Sequence, residues 1–147
     1  MLTISSVLRA KGNAVYWVET GTSLLTALEL MTEKGIGALL VMEKGEPVGI
    51  FSERDFARAV AREKKMNLDT PVDACMTRSI FSVTPDETID ECMAIMTVQR
   101  FRHLPVCENN KIIGIISIGD VVKNLIEDKD LLIRNMQNYI LGRGYGE

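Results

Sequence analysis

Gly49-Ile50-Phe51-Ser52-Glu53-Arg54-Asp55 and Gly114-Ile115-Ile116-Ser117-Ile118-Gly119-Asp120 are two versions of one string. They lie 65 positions apart, and the same shift superimposes Val18 on Val83, Met31 on Met96, Leu39 on Leu104 and Val41 on Val106 without a gap. A chain that repeats itself at fixed spacing is a tandem of one supersecondary unit, so whatever the string does, the protein can do twice.

Working outward from the first string, Pro47 to Phe51 is an apolar strand that forms a hairpin with Ala38 to Val41 through the turn residues Lys44-Gly45. Ahead of that hairpin, Tyr16 to Val18 reads as a short strand. Thr22 or Ser23 can cap a helix carrying Leu24, Leu25, Leu28 and Met31 at helical spacing, and Gly35 ends it. Ser52 then opens a helix with Phe56, Ala59 and Val60 on one side. The second copy predicts a strand over Ile80 to Val83, a helix from about Glu87 to Val98, strands over His103 to Cys107 and Lys111 to Ile116, and a helix from Ser117, with Asn109-Asn110 as the turn. The fold class is α/β (α+β): two pseudo-symmetric units of order strand-helix-strand-strand-helix, expected to pack face to face. The polar stretch around Asn67 to Pro71 marks the join, giving units over 1–66 and 67–127 and a C-terminal helix and tail over 128–147. That last segment carries an apolar stripe, Leu131-Leu132 through Met136 to Ile140, stopping at Gly142. It packs either onto its own domain or against a second chain.

Seventeen basic and 20 acidic residues are mixed along the chain, for a net charge of −3. This gives no electrostatic case for a nucleic acid partner or an anionic membrane. Cys75, Cys92 and Cys107 are odd in number and lack a framework spacing, no leader follows Met1, and no apolar run approaches 18 residues. The expectation is a cytoplasmic protein.

The Ser-x-x-Asp of each string has two readings. Ser at a helix start with an acid three residues on is a capping box. Capping does not account for the preceding Gly-Ile, nor for Asp where Glu reaches back more easily. A glycine there admits a ligand or a neighbouring backbone, a carboxylate in the first turn can accept both hydroxyls of a ribose, and the helix N-terminus offers amides to a phosphate.

The element order, the doubled Gly-Ile-x-Ser-x-x-Asp, the Val83-Thr84-Pro85 lead-in and the Arg102-His103-Leu104-Pro105-Val106 strand resemble a pair of CBS domains, the modules named after cystathionine beta-synthase and also called Bateman modules. The resemblance runs from about Val7 to Leu125. The Arg100-Phe101-Arg102-His103 run resembles a bacterial and archaeal group of stand-alone pairs associated with AMP and NAD(H). It implies an adenine nucleotide in a cleft between the units, with Asp55 and Asp120 on the ribose and Ser52 or Ser117 near the ribose or phosphate. It also implies Val18 and Thr20, or Val83 and Thr84, on the adenine or sugar side, Ala38 or His103 near the base, and Arg100, Arg102 and His103 on the phosphates. The first copy has Gly35, Gly37 and Ala38 at those basic positions, with Arg54 in partial compensation, so the two sites should differ. AMP is expected at the Asp120 site, while ATP, ADP or NAD(H) remain open for the Asp55 site. The resemblance further implies a homodimer formed through helices, and a separate protein target that the sequence does not name.

Catalysis is disfavoured: Ser117, His103 and Asp120 include the residue types of a hydrolytic triad, but the Ser sits at a cap and the first copy has no His. His103 and Cys107 share a strand face, without the further ligands a metal needs. The expected function is a regulatory, non-catalytic nucleotide-binding module needing no catalytic cofactor. The alternative is a constitutive dimerisation scaffold.

Overall fold

The computed structural model describes residues 2–12 and 14–141; the side chain of Leu131 and all of Gly142 lie outside the described residues. The elements are α1 (Ile4–Lys11), β1 (Trp17–Glu19), α2 (Leu24–Lys34), β2 (Ala38–Glu43), β3 (Glu46–Ser52), α3 (Glu53–Glu63), a short 3-10 helix (Val72–Ala74), α4 (Ile89–Gln99), β4 (His103–Glu108), β5 (Lys111–Ser117) and α5 (Ile118–Ile140).

The internal repeat survives into atomic detail. Each hairpin pairs antiparallel with an irregularity at the same place, between Val41 and Met42 in one copy and between Val106 and Cys107 in the other. The hairpins turn through left-handed residues, Lys44 and Gly45 (φ 51 and 79) and Asn109 and Asn110 (φ 52 and 61), as a tight two-residue turn requires. The two cores match position for position: Val7, Val83, Ile89, Cys92, Met96, Leu104, Val106 and Ile116 in one lie 65 residues from Val72, Val18, Leu24, Ala27, Met31, Leu39, Val41 and Phe51 in the other.

One member of that series runs the other way along the chain. Val7, from the first copy, belongs to the core of the second, while Val72, ahead of the second copy, belongs to the core of the first. The compact units are therefore not consecutive halves divided at 66/67. One comprises Ala14–Phe81; the other joins the N-terminal segment with α1 to everything from Ser82 onward. Each copy's leading segment, the stretch ahead of its first strand, packs on the sheet of the other copy. Helix α1, which sequence periodicity did not pick out, begins at Thr3, whose side chain accepts from the Ser6 amide, and buries Ile4, Val7 and Leu8.

The Ile80–Val83 strand is not formed; only Val83 bridges Val106, in parallel. The cause is Pro105. In the first copy the Leu40 amide donates to the Tyr16 carbonyl at 3.3 Å, and Pro105 occupies the equivalent place with no N–H to give. The expected boundary at 127/128 falls inside α5, a continuous helix of 23 residues. Its counterpart α3 stops at Lys64, which turns left-handed at φ 59. The apolar stripe on α5 is exposed rather than packed on its own unit: Leu132 is 59% accessible, Met136 56% and Ile140 77%.

The strand glycines explain how the leading segments seat. A Cβ at Gly49 would lie 2.6 Å from Met76 Sδ and 3.0 Å from the Thr77 carbonyl oxygen, whereas a Cβ at Gly114 would meet only the Leu8 side chain, at 2.6 Å. Backbone gives way less readily than a side-chain tip. Gly49→Ala should therefore cost roughly 2–3 kcal/mol and Gly114→Ala about 1 kcal/mol, within the range for overpacking. Urea denaturation compares them, and equal losses would refute the backbone clash at Gly49.

Candidate functional site

The Gly-Ile-x-Ser-x-x-Asp strings run from the last strand of each hairpin into the next helix. In the first copy the Ser52 side chain accepts from the Asp55 amide at 3.2 Å, and the Asp55 Oδ2 accepts from the Ser52 amide at 2.9 Å and hydroxyl at 3.0 Å. In the second copy Asp120 N donates to Ser117 Oγ at 3.1 Å and Ser117 N to Asp120 Oδ2 at 2.8 Å. Both are complete capping boxes, so this part of the motif has a structural role. Thr88 and Glu91 form the same box at α4 with the longer acid, which shows that capping alone does not demand Asp.

What Asp adds is a tie to the leading segment. Thr77 exchanges backbone hydrogen bonds with Ile50, at 2.8 and 2.9 Å, and its hydroxyl donates to Asp55 Oδ1 at 3.0 Å. In the other unit the corresponding acceptors are Ile115 and Asp120, and one ammonium serves both: Lys11 Nζ lies 2.7 Å from the Ile115 carbonyl oxygen and 2.6 Å from Asp120 Oδ2. A neutral hydroxyl and amide in one copy are replaced by a single cation in the other. The bonds from Lys11 and from the Ser117 amide both fall on Oδ2, and the Ser117 side chain adds a third hydrogen bond, so a carboxylate with about four acceptor sites keeps some capacity. Burial pushes the Asp120 carboxyl upward, but the hydrogen bonds from Lys11 and Ser117, with the ammonium's charge, outweigh it and hold the group below the ordinary carboxylate value.

The other expected positions divide by sheet register. Ala38 pairs with Ser52, and His103 with Ser117, so the starts of β2 and β4 flank the two aspartate positions. Arg102 is held there too, its carbonyl accepting from the Ile118 amide at 2.8 Å. Arg54 follows Ser52 in the first turn of α3, and Arg100 caps α4 in the left-handed conformation at φ 59. Val18 and Val83 are core residues. The Thr20 amide donates to the Met42 carbonyl, at the far end of β2 from Ala38 and thus about 13 Å along the strand at the usual rise. Thr84 follows Val83, which bonds to Pro105 and Cys107 in parallel, so it too points away from the Ser117 end of its sheet. Two open concavities, of about 240 and 460 Å³, are lined by neither aspartate: one includes Gly37 and Glu53, the other Arg9, Pro85 and Glu108.

Burial pushes the Cys75 thiol up and, with the charge of Glu87, takes Cys92 to about 11, so both are protonated at neutral pH. Among the described residues no group of three or more His, Cys, Asp or Glu side chains is placed to hold a metal ion, and no helix is long and apolar enough to cross a membrane. Sequence reasoning missed Lys11 and Thr77. The available signal was the Thr3 cap followed by Ile4, Val7 and Leu8, which would have placed Lys11 at a helix end.

Because the Asp120 carboxyl is depressed in the folded state, its contribution to stability is present above the unfolded value of about 3.9 and is lost as pH falls through the lower folded value. Lys11 and Asp120 side chains are 38% and 22% exposed, so the pair is partly screened. Lys11→Met should cost roughly 0.5–1 kcal/mol at pH 7. The stability gap between wild type and Asp120→Asn should narrow as pH falls below the ordinary carboxylate value. Urea midpoints across pH test this, and a gap that persists in acid would contradict it.

Compared with known proteins, the chain matches the model of the CBS domain over residues 2–62 and again over 72–127. It is 34% identical to the CBS domain-containing protein CBSX3, mitochondrial, of Arabidopsis thaliana, over 97% of this chain and 73% of that protein. It is similar in structure to a putative signal-transduction protein with CBS domains from Burkholderia ambifaria, at 44% identity, 86% of this chain, 95% of the other and a TM-score of 0.81. The crystal structure of CBSX2 in complex with AMP is similar at 26% identity, 88% of this chain, 99% of the other and a TM-score of 0.67. With both copies of its repeat matched and the strand-to-helix motif doubled in space as in sequence, the chain belongs to the CBS-domain family as a tandem pair.

Proposed function

We propose that the protein is a regulatory, non-catalytic module that binds adenine nucleotides at its two Ser-x-x-Asp positions, with AMP at Asp120 and ATP, ADP or NAD(H) at Asp55. The observation that carries this reading is the Asp120 carboxylate. It stands in the first turn of a helix, beside backbone amides, with acceptor capacity left for ribose hydroxyls. Arg100 and Arg102 lead into β4, which His103 opens, and the two guanidiniums supply positive charge for a phosphate. The likeness to a CBS protein crystallised with AMP supports the choice of ligand. Regulation follows only if nucleotide binds two arrangements of the protein unequally, changing the surface offered to a separate protein target. Free cysteines and mixed charge favour a reducing, cytoplasmic setting.

A scaffold without ligand binding is the rival reading, favoured by the capping and tying roles already found for both aspartates. Thermal melting with AMP, ADP, ATP, NAD⁺, NADH and S-adenosylmethionine separates the two. A ligand at 100 times its Kd adds about 2.7 kcal/mol. Asp120→Ala should abolish the AMP shift. A panel without any shift, on protein free of retained nucleotide, would leave the scaffold.

We also propose a homodimer formed through helices, in which the exposed α5 residues Ile126, Ile133 and Met136 are covered by a second copy. Ile126→Glu combined with Ile133→Glu should halve the mass in sedimentation equilibrium while leaving the helical circular dichroism intact. An unchanged mass would remove α5 from the interface.

A further inference from the structure

Two equivalent carboxylates are tied to two leading segments by chemically different groups, and the difference bears on which ligand each position accepts. At Asp55 the tie is the Thr77 hydroxyl; at Asp120 it is the Lys11 ammonium. We propose that Lys11 is a specificity-determining residue of the Asp120 position, contacting the ligand there and selecting adenosine that carries an anionic phosphate over uncharged adenosine. This rests on the nucleotide-binding reading of that position.

The argument is one of donors and charge. An ammonium has three N–H groups. Lys11 spends one on the Ile115 carbonyl and one on Asp120 Oδ2, which leaves the third for a ligand. The side chain is 38% exposed, so a ligand accepting from it need not first open the core. Lys11 and the Ser117 amide land on Oδ2, and the carboxylate keeps acceptor capacity beyond its three hydrogen bonds, so ribose hydroxyls can bind it without displacing the lysine. An adenosine seated on Asp120 therefore lies beside a cation already fixed at two points, so little side-chain freedom is lost when a phosphate approaches it. Arg100 and Arg102 precede β4, but Lys11 is the cation that touches Asp120 itself. Thr77 offers the Asp55 position no such charge, and its hydroxyl is already committed to Oδ1. The selecting group reaches its carboxylate from 109 residues away in sequence, by way of the first copy's leading segment.

Calorimetric titration of the full chain carrying Asp55→Ala, which leaves the Asp120 position as the site observed, measures Kd for AMP and for adenosine. Lys11→Met in that background should reduce the preference for AMP over adenosine at least tenfold, with adenosine affinity changed less than threefold. Lys11→Arg should retain the preference. If Lys11→Met fails to fold by circular dichroism, Lys11→Gln, which keeps a donor without the charge, is read in the same way. An unchanged preference, with AMP binding still abolished by Asp120→Ala, would make Lys11 a structural tie only and overturn the proposal while the nucleotide reading stands. If neither compound binds, or Asp120→Ala leaves binding intact, the nucleotide reading of that position falls and the Lys11 proposal with it.

Discussion

The seating of a leading segment against a strand glycine is the constraint on which the rest of this structure depends. Met76 and the Thr77 carbonyl close on Gly49, and Leu8 closes on Gly114, at distances a Cβ could occupy only if its neighbours shifted. That close approach brings Thr77 and Lys11 to the helix starts where Asp55 and Asp120 stand. It also brings Val72 and Val7 into cores built mainly from one helix face and one hairpin, with Val18 or Val83 beside them. A two-stranded hairpin alone is marginal in water, and the docked segment completes the apolar layer that makes it stable.

The aspartates carry three obligations in a few ångströms. Each closes a capping box, each holds a leading segment, and each presents the carboxylate on which the proposed ligand would rest. The first two are present in the atomic contacts and explain why the residue is Asp. A glutamate serves for capping alone, as Glu91 does at α4. The two copies differ in the charge of the group tied to the carboxylate, which makes the pair symmetric in backbone and asymmetric in electrostatics.

Much of this was legible in the sequence because it is local. Hairpin turns, helix starts and the paired core positions follow from turn chemistry and from a repeat that needs no gap. Where the reading departed from the structure, the cause was non-local or a single atom. Nothing in the periodicity of residues 4–11 says which sheet they join, so α1 and the Lys11 tie stayed hidden, and the consecutive division of the chain missed the exchange of leading segments. The missing strand over Ile80–Val83 turns on the absent N–H of Pro105, a residue visible in the sequence whose effect depends on knowing its neighbour in the sheet. The candidate site was legible to the extent that register fixes it: Ala38 and His103 do lie beside their serines, whereas Thr20 and Thr84 follow strands that run to the other end.

Because one unit is a single stretch, Ala14–Phe81, and the other is assembled from both sides of it, the chain has a built-in order of completion during synthesis. Helix α1 leaves the ribosome ahead of the whole continuous unit, yet its partners Leu104, Val106 and Ile116 are made after that unit. The continuous unit can close as soon as its own final residues emerge. Helix α1 must wait, with Ile4, Val7 and Leu8 uncovered, until the second hairpin arrives to receive it. Its apolar face stays exposed for as long as it takes to synthesise everything that lies between the two.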